Sequence, residues 1–296
     1  MEREKQVLIA GLGLLGGSLG LALKGGPWRR LGWARRAETR ALALKLDAVD
    51  EVGGDLDALL ARADLTVLAL PVPVIETMFA RCREHCRPGS VVTDIGSVRS
   101  GIERAAAVLA GSGVRFVGSH PMAGTEKSGL ENAFARLYAN ADVFVIPPPG
   151  AEESAVTLVE SFWRGIGTHV SRIDAEAHDR LVAETSHVLH VVASALALSI
   201  LGAADGAERK RRFEGCATGF RDTSRIASSS PAMWREIIES NRLPVLEALD
   251  GFAAELKTYR ALIEAGAFDE FERRFAAGKE LRDAWLAYKT DERRQK

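Results

Sequence analysis

Val7-Leu8-Ile9-Ala10-Gly11-Leu12-Gly13-Leu14-Leu15-Gly16, near the start of the chain, decides the fold. Its first four residues are apolar and read as a strand buried on both faces. Each glycine beyond them has a separate task. Gly11 permits a tight turn, Gly13 lets the main chain approach a pyrophosphate, and Gly16 lets the following helix pack on the strand. The N-terminus of that helix, at Leu14 and Leu15, offers unpaired N–H groups and partial positive charge to phosphate. A glycine triplet alone is a weak signal, but one that follows an initial strand and opens a helix marks a dinucleotide site.

Outward from this loop, short β-branched runs alternate with helical patterns up to about Arg172, as βαβ units of a parallel sheet do. Strands are expected over 6–10, 31–34, 65–70, 91–95, 115–118 and 142–146, several of them ending at loop residues: Gly11, Pro71, Gly96, Ser119 and Pro147. Ligands of such sheets lie beyond the carboxyl ends of the strands, so these are the loops to search. After Arg172 the strand signal vanishes, and helices are expected over 175–201, 208–213, 232–241, 244–265 and 268–290. The expected fold is an α/β Rossmann-type doubly wound parallel sheet over residues 1–172, followed by an all-α substrate and dimerisation domain over 173–296. The first helix of that domain is apolar round most of its circumference, which predicts an obligate homodimer.

Composition narrows the function. The 296 residues are 47% hydrophobic, enough for a core in each domain. Lysine and arginine number 39 against 40 acidic residues, and neither sign forms a long block, so a small molecule is expected rather than nucleic acid or a membrane surface. Cys82, Cys86 and Cys216 form no disulfide framework and fit a reducing cytoplasm. No second pair joins Cys82 and Cys86 to complete a metal set, so no metal is expected. The charged opening Met1-Glu2-Arg3-Glu4-Lys5 does not read as a signal peptide. The apolar stretch 187–204 contains His187, His190, Ser194 and Ser199, and reads as a buried or interface helix rather than a membrane span.

About 20 residues past the glycine loop, an NAD site presents an acid to the ribose hydroxyls. Here Gly32-Trp33-Ala34-Arg35-Arg36 puts Ala34 in the acid's place, followed by two guanidinium groups able to fork onto a phosphate. NADP is therefore favoured over NAD, with Pro71 and Ser97 at neighbouring strand ends completing the cofactor site.

Two further segments carry the chemistry: Asp94-Ile95-Gly96-Ser97-Val98-Arg99 and the run from Gly118 to Gly129, Gly-Ser-His-Pro-Met-Ala-Gly-Thr-Glu-Lys-Ser-Gly. His120 is expected in a loop, with no apolar periodicity around it to make it a core residue. A histidine near its natural pKa can take a proton from a substrate hydroxyl as hydride leaves the carbon, which makes His120 the chief catalytic candidate.

The run from Gly118 to Gly129 closely resembles the signature of the prephenate and arogenate dehydrogenases. Asp94 to Arg99 resembles the serine loop of that family, and His178-Asp179 with Ser186-His187-Val188-Leu189-His190 its helical histidine motif. Gly219-Phe220-Arg221-Asp222-Thr223-Ser224-Arg225-Ile226-Ala227 resembles its arginine motif. The resemblance implies NAD(P)-dependent oxidative decarboxylation of prephenate, or of its amino analogue arogenate, in tyrosine biosynthesis. It implies that His120 accepts the proton of the ring hydroxyl and that Ser97 orients that hydroxyl and the nicotinamide. Arg225 would pair with the ring carboxylate, and His190 and Ser186 would contact the other end of the substrate. Thr125 and Glu126 would line the mouth of the pocket, Trp234 would wall it, and Asp222 would reach across from a neighbouring subunit.

One departure from the family pattern is Val188-Leu189 in place of a proline, which predicts a less kinked helix. His178 lies about 18 Å before His190 along a straight helix, so a structural tie at the helix start is expected of it rather than a place in the same small pocket. Neither a regulatory domain nor a fused mutase is expected. The competing readings are a β-hydroxyacid dehydrogenase or imine reductase, for which Lys127 is the only nearby loop lysine, and a non-catalytic NADP sensor.

Overall fold

The computed structural model describes residues 4–125, 127–202 and 205–294. The chain falls into two compact units, Met1–Arg242 and Leu243–Lys296.

The first unit begins with β1 (Lys5–Ala10), whose residues Val7 to Ala10 are fully buried, and α1 (Leu14–Ala22). There follow β2 (Trp28–Trp33), α2 (Ala37–Lys45), β3 (Glu51–Gly53), α3 (Leu56–Leu60), β4 (Leu65–Leu68), α4 (Val72–His85), β5 (Val91–Asp94), α5 (Ser100–Ala106) and β6 (Arg115–Phe116). All six strands are parallel, in the order β3-β2-β1-β4-β5-β6. Helices on both faces bury two apolar layers, one around Val7, Ile9 and Val67, the other around Leu8, Leu31 and Phe79. The order reverses between β1 and β4, and that switch point places the glycine loop at the crevice where a dinucleotide lies.

The sheet differs from expectation in two places. Strand β3 is only three residues long and escapes a periodicity reading. The run expected as one strand over 115–118 breaks at Val117, whose N–H makes the last bond to the large sheet at Val92 O. Gly118–Pro121 is instead β7 of a second sheet, antiparallel to β8 (Asp142–Ile146), which pairs in parallel with β9 (His169–Arg172) beyond α6 (Glu153–Arg164). His120 therefore sits on a strand, opposite Phe144, and not in the expected loop. One buried hydroxyl staples the sheets together: Ser119 Oγ donates to Asp94 O at 2.6 Å and accepts from Trp163 Nε1 at 3.0 Å. Its remaining lone pair faces Thr93 Oγ1 at 3.0 Å.

The rest of the first unit is helical: α7 (Ala175–Val182), a π turn over Ala183–His187, α8 (Val188–Leu201), α9 (Gly206–Gly215), α10 (Thr218–Ser224), a 3₁₀ turn over Arg225–Ser228, and α11 (Pro231–Ser240). The stretch expected as one regular helix thus contains a π turn. The helix Ala175–Leu201 is long and apolar enough to cross a membrane. It nevertheless carries His178, Asp179 and His187, all buried and hydrogen-bonded within the protein. Cys82 and Cys86 are buried, and among the described residues no group of three or more potential ligands could hold a metal.

The second unit is a hairpin of α12 (Arg242–Glu264) and α13 (Phe268–Arg294), turned at Gly266 with φ +63°. Tyr259 meets Phe271 edge-on, and Arg274 pairs with Glu255 across the hairpin. Leu246, Leu256, Ile263, Phe275, Leu281 and Trp285 stay exposed.

Candidate active site

The glycine loop is shaped for a dinucleotide. Gly11 has φ +112°, and a Cβ there would stand 2.2 Å from Ala69 O; a Cβ on Gly16 would stand 1.9 Å from Gly11 O. Over Gly13, by contrast, a Cβ would meet nothing within 4 Å, so the space above it is open. Gly13 is also the N-cap of α1, and no side chain caps that helix. An open concavity over an uncapped helix N-terminus fits a pyrophosphate. Leu14 is buried and Leu15 packs on the core, leaving their main chain as the part that faces this space; Leu15 O is held by the Tyr138 hydroxyl at 3.0 Å. Pro71 is the exposed N-cap of α4.

At the end of β2, Ala34 is buried while Arg35 and Arg36 are exposed. Arg40 braces this turn by donating to Ala34 O at 2.9 Å and Arg35 O at 2.8 Å. Arg40 is a contributor that the sequence reading passed over, since nothing local marks a guanidinium spent on main-chain carbonyls.

The chemical end is organised by buried ions. Asp94, at the end of β5, and Arg99 form a two-pronged ion pair, with Nη1 at 2.5 Å and Nη2 at 2.6 Å from the two carboxylate oxygens. Both side chains are almost wholly buried. Arg99 Nη1 also donates to Gly96 O at 3.0 Å and Ser119 O at 3.3 Å, tying the half-buried Ser97 loop to the residue before His120.

Asp179, in α7, then fastens this loop to the helices. Its Oδ1 accepts from Arg99 N at 2.7 Å and its Oδ2 from Ser100 N at 2.8 Å and Ser100 Oγ at 2.6 Å. The fourth acceptor position faces His178 Nδ1 at 3.0 Å. Burial pushes the Asp179 carboxyl up, but the bonds from His178, Ser100 and Arg99 outweigh it and hold the group below its ordinary value. An ionised carboxylate only accepts, so His178 carries its proton on Nδ1 and a lone pair on Nε2. That lone pair faces His120 Nδ1 at 2.9 Å. His120 must then donate from Nδ1, leaving Nε2 as an unprotonated acceptor. The arrangement is an imidazole oriented by a second imidazole and an anchored carboxylate. His178, expected as a structural tie, is thus in direct contact with the catalytic candidate, because Asp179 docks the first turns of α7 against the Ser97 loop.

Burial pushes the His120 pKa well below the ordinary histidine value, and the nearby His178, Arg99 and His187 add to the shift. His178 is also lowered by burial, against the opposing pull of Asp179.

A second group of side chains forms the other end. His190 stacks on Trp234 with ring centroids 3.7 Å apart, and His187 meets the same indole edge-on at 5.8 Å. His190 Nδ1 donates to Ser186 O at 3.1 Å, which leaves its Nε2 as an acceptor. Burial lowers the His190 pKa, and the positive charge of Arg225 acts in the same direction. Arg225 is exposed on the turn after α10, and the Trp234 indole N–H is buried without a partner among the described residues. Thr125 is exposed, its hydroxyl accepting from Lys127 N at 3.2 Å; Glu126 lies outside the described residues. Asp222 is exposed and accepts from Arg221 Nε at 2.9 Å. Asn241, which the sequence reading missed, is buried and bonded to both Asp179 O and His187.

A switch-point crevice for a dinucleotide, next to a histidine held neutral, fits a nicotinamide-dependent dehydrogenase. Residues 20–172 match the family model of the prephenate dehydrogenase nucleotide-binding domain, and residues 174–277 that of the prephenate dehydrogenase dimerization domain. The chain belongs to the prephenate dehydrogenase family. It is 33% identical to the prephenate dehydrogenase of Bacillus subtilis, over 95% of this chain and 76% of the relative. It is 32% identical to the cyclohexadienyl dehydrogenase of Zymomonas mobilis, over 97% of each chain. Its fold matches a crystal structure of prephenate dehydrogenase from Aquifex aeolicus in complex with hydroxyphenyl propionate and NAD+, with TM-score 0.87, 29% identity and coverage of 95% of this chain and 98% of that one. Membership of this family sets aside the β-hydroxyacid dehydrogenase, imine reductase and sensor readings.

If Asp179 aims the base through His178, Asp179→Asn should lower kcat by about 100-fold or more, as loss of a tautomer-fixing carboxylate does elsewhere. A kcat equal to that of the wild type would remove the pair from the mechanism. With the His120 pKa depressed, a neutral His120 acting as base should keep kcat/KM level as the pH is lowered through the ordinary histidine range, with a fall only well below it.

Proposed function

We propose that this enzyme catalyses the oxidative decarboxylation of prephenate with NADP as the preferred cofactor, and that it works as a homodimer in the cytoplasm. The observation that carries the reaction is the chain Asp179–His178–His120, which leaves one unprotonated histidine nitrogen beside the dinucleotide crevice.

On this reading His120 Nε2 takes the proton of the ring hydroxyl, with Ser97 orienting that hydroxyl, as hydride leaves the same carbon. When bound, the nicotinamide ring supplies the hydride acceptor. The bond from the ring to its carboxylate then breaks, carbon dioxide departs, and the electron pair completes the aromatic ring. The proton held by His120 returns to the phenol oxygen, so no net proton is released. Aromatisation supplies most of the driving force, and the tasks left to the protein are positioning, proton holding and carboxylate anchoring. Arg225 suits the last task, since its planar fork matches a carboxylate. Ser186, His190 and Trp234 would receive the side chain of the substrate, with Thr125, Glu126 and a partner's Asp222 at the mouth.

Arogenate as a second substrate is favoured by one observation. His190 presents an acceptor at Nε2, which suits an ammonium donor. The NADP reading is supported by Ala34 standing where an acid would hold the ribose, with Arg35 and Arg36 exposed beside it. The dimer reading is supported by the exposed apolar residues of the α12–α13 hairpin and, separately, by Leu189 and Leu198 exposed on α8.

Reduced-cofactor absorbance measured with prephenate and arogenate, each with NADP and NAD, tests the assignment. The largest kcat/KM is expected for prephenate with NADP, and no turnover of either substrate would overturn it. His120→Asn should lower kcat by at least about 100-fold with little change in KM. Sedimentation at micromolar concentration should give about twice the 31.9 kDa chain mass; a monomer would refute the dimer.

A further inference from the structure

Asn241 follows the last residue of α11 and is 2% exposed. Its side-chain nitrogen donates to the main-chain oxygen of Asp179 at 2.8 Å and stands 3.1 Å from His187 Nδ1. A carbonyl only accepts, so the atom facing Asp179 O is the amide nitrogen and not Oδ1. The second hydrogen of the same group then meets His187 Nδ1, which must hold a lone pair. The proton of the neutral ring therefore sits on Nε2.

We propose that Asn241 is a positioning residue of the active site, which fixes His187 as an Nε2–H donor beside Trp234 and holds the main chain of Asp179. The proposal rests on the reaction assigned above for its consequence, though not for its geometry. His187 touches Asn241 and Trp234 from the α11 segment, and the charges of Asp179 and His178 from α7 and of His190 from α8 act on it. Burial pushes the His187 pKa down to about 4 against the pull of Asp179, so the ring stays neutral near the base.

The donor and acceptor pattern explains why the tautomer matters. His120 Nε2 and His190 Nε2 are both acceptors, whereas the oxygens of a carboxylate-bearing substrate are acceptors too. Neutral donors are therefore needed as well: the Trp234 indole N–H is one without a partner among the described residues, and the Nε2–H of His187, whose ring lies edge-on to that indole, is the second. With the proton on Nδ1 instead, His187 would set N–H against N–H at Asn241 and lose its donor at Nε2. The same amide holds the carbonyl of Asp179, whose carboxylate orients His178, so one residue braces both histidines.

Nitrogen NMR of the full chain with labelled histidine tests the geometry directly, with the His187 signals assigned by their loss in His187→Gln. The wild type should show the Nε2–H form. Asn241→Leu should relax this to a mixture, and Asn241→Asp, whose carboxylate only accepts, should draw the proton to Nδ1. A wild-type Nδ1–H form overturns the proposal whether or not the leucine variant folds.

Kinetics test the consequence. Asn241→Leu should lower kcat/KM with prephenate about 10-fold, the loss of roughly one hydrogen bond's worth of orientation. In a His187→Gln background, where the side-chain amide keeps a donor near the Nε2 position, the same change should cost less than about 2-fold. An equal loss in both backgrounds means that Asn241 acts only as a tie to Asp179, and the proposal fails. If the wild type turns over neither prephenate nor arogenate, the reaction assignment fails while the NMR result still decides the tautomer.

Discussion

The carboxylate of Asp179 accepts from two main-chain N–H groups, a serine hydroxyl and an imidazole, and much of the site geometry descends from that one set of bonds. A buried anion is costly unless every lone pair is met, and here they are met from α5, the loop before it and α7 itself. The helix is thereby docked on the Ser97 loop in one register, and His178 is brought against His120. Behind this anchor, Arg99 and Asp94 repeat the logic. Removing one partner of such a buried pair costs about 3–5 kcal/mol, because the other charge is left in apolar surroundings. The space around them is full: a Cβ on Gly118 would lie 2.4 Å from Arg99 Nη2, and one on Gly96 would lie 2.9 Å from Asp94 Oδ2.

A site built this way is rigid before any ligand arrives, which suits a reaction whose driving force lies in the substrate. Three histidines, His120, His178 and His187, are kept neutral chiefly by burial, so each presents a fixed donor and a fixed acceptor. Polarity is set by tautomer instead of charge. The bonds that choose the tautomers come from Asp179 to His178, from His178 to His120 and from Asn241 to His187.

Local features of the chain were the legible ones. Val7 to Gly16 states a buried strand, a turn and a helix start within ten residues, because burial on both faces and the need for glycine are local demands. The helices after Arg172 were readable from their periodicity, and His120 stood out as a histidine without an apolar pattern around it. The second sheet was not readable. Arg115 to Gly118 looks like one strand, and its break at Val117 is decided by whether Val92 or Ile146 offers the next partner. Strand β9, four residues with three polar ones among them, exists because β8 has a free edge beside it.

His178 shows the same limit inside the site. Helical spacing places it far from His190, and that arithmetic says nothing of a partner on a strand 58 residues earlier in the chain, 2.9 Å away. By itself the sequence determined the dinucleotide crevice and the helical character of the later chain, since strand burial, helix periodicity and glycine demand are written in neighbouring residues. The tertiary structure alone decided which nitrogen carries the proton in His120, His178, His187 and His190. That choice depends on hydrogen bonds between residues brought together only by folding.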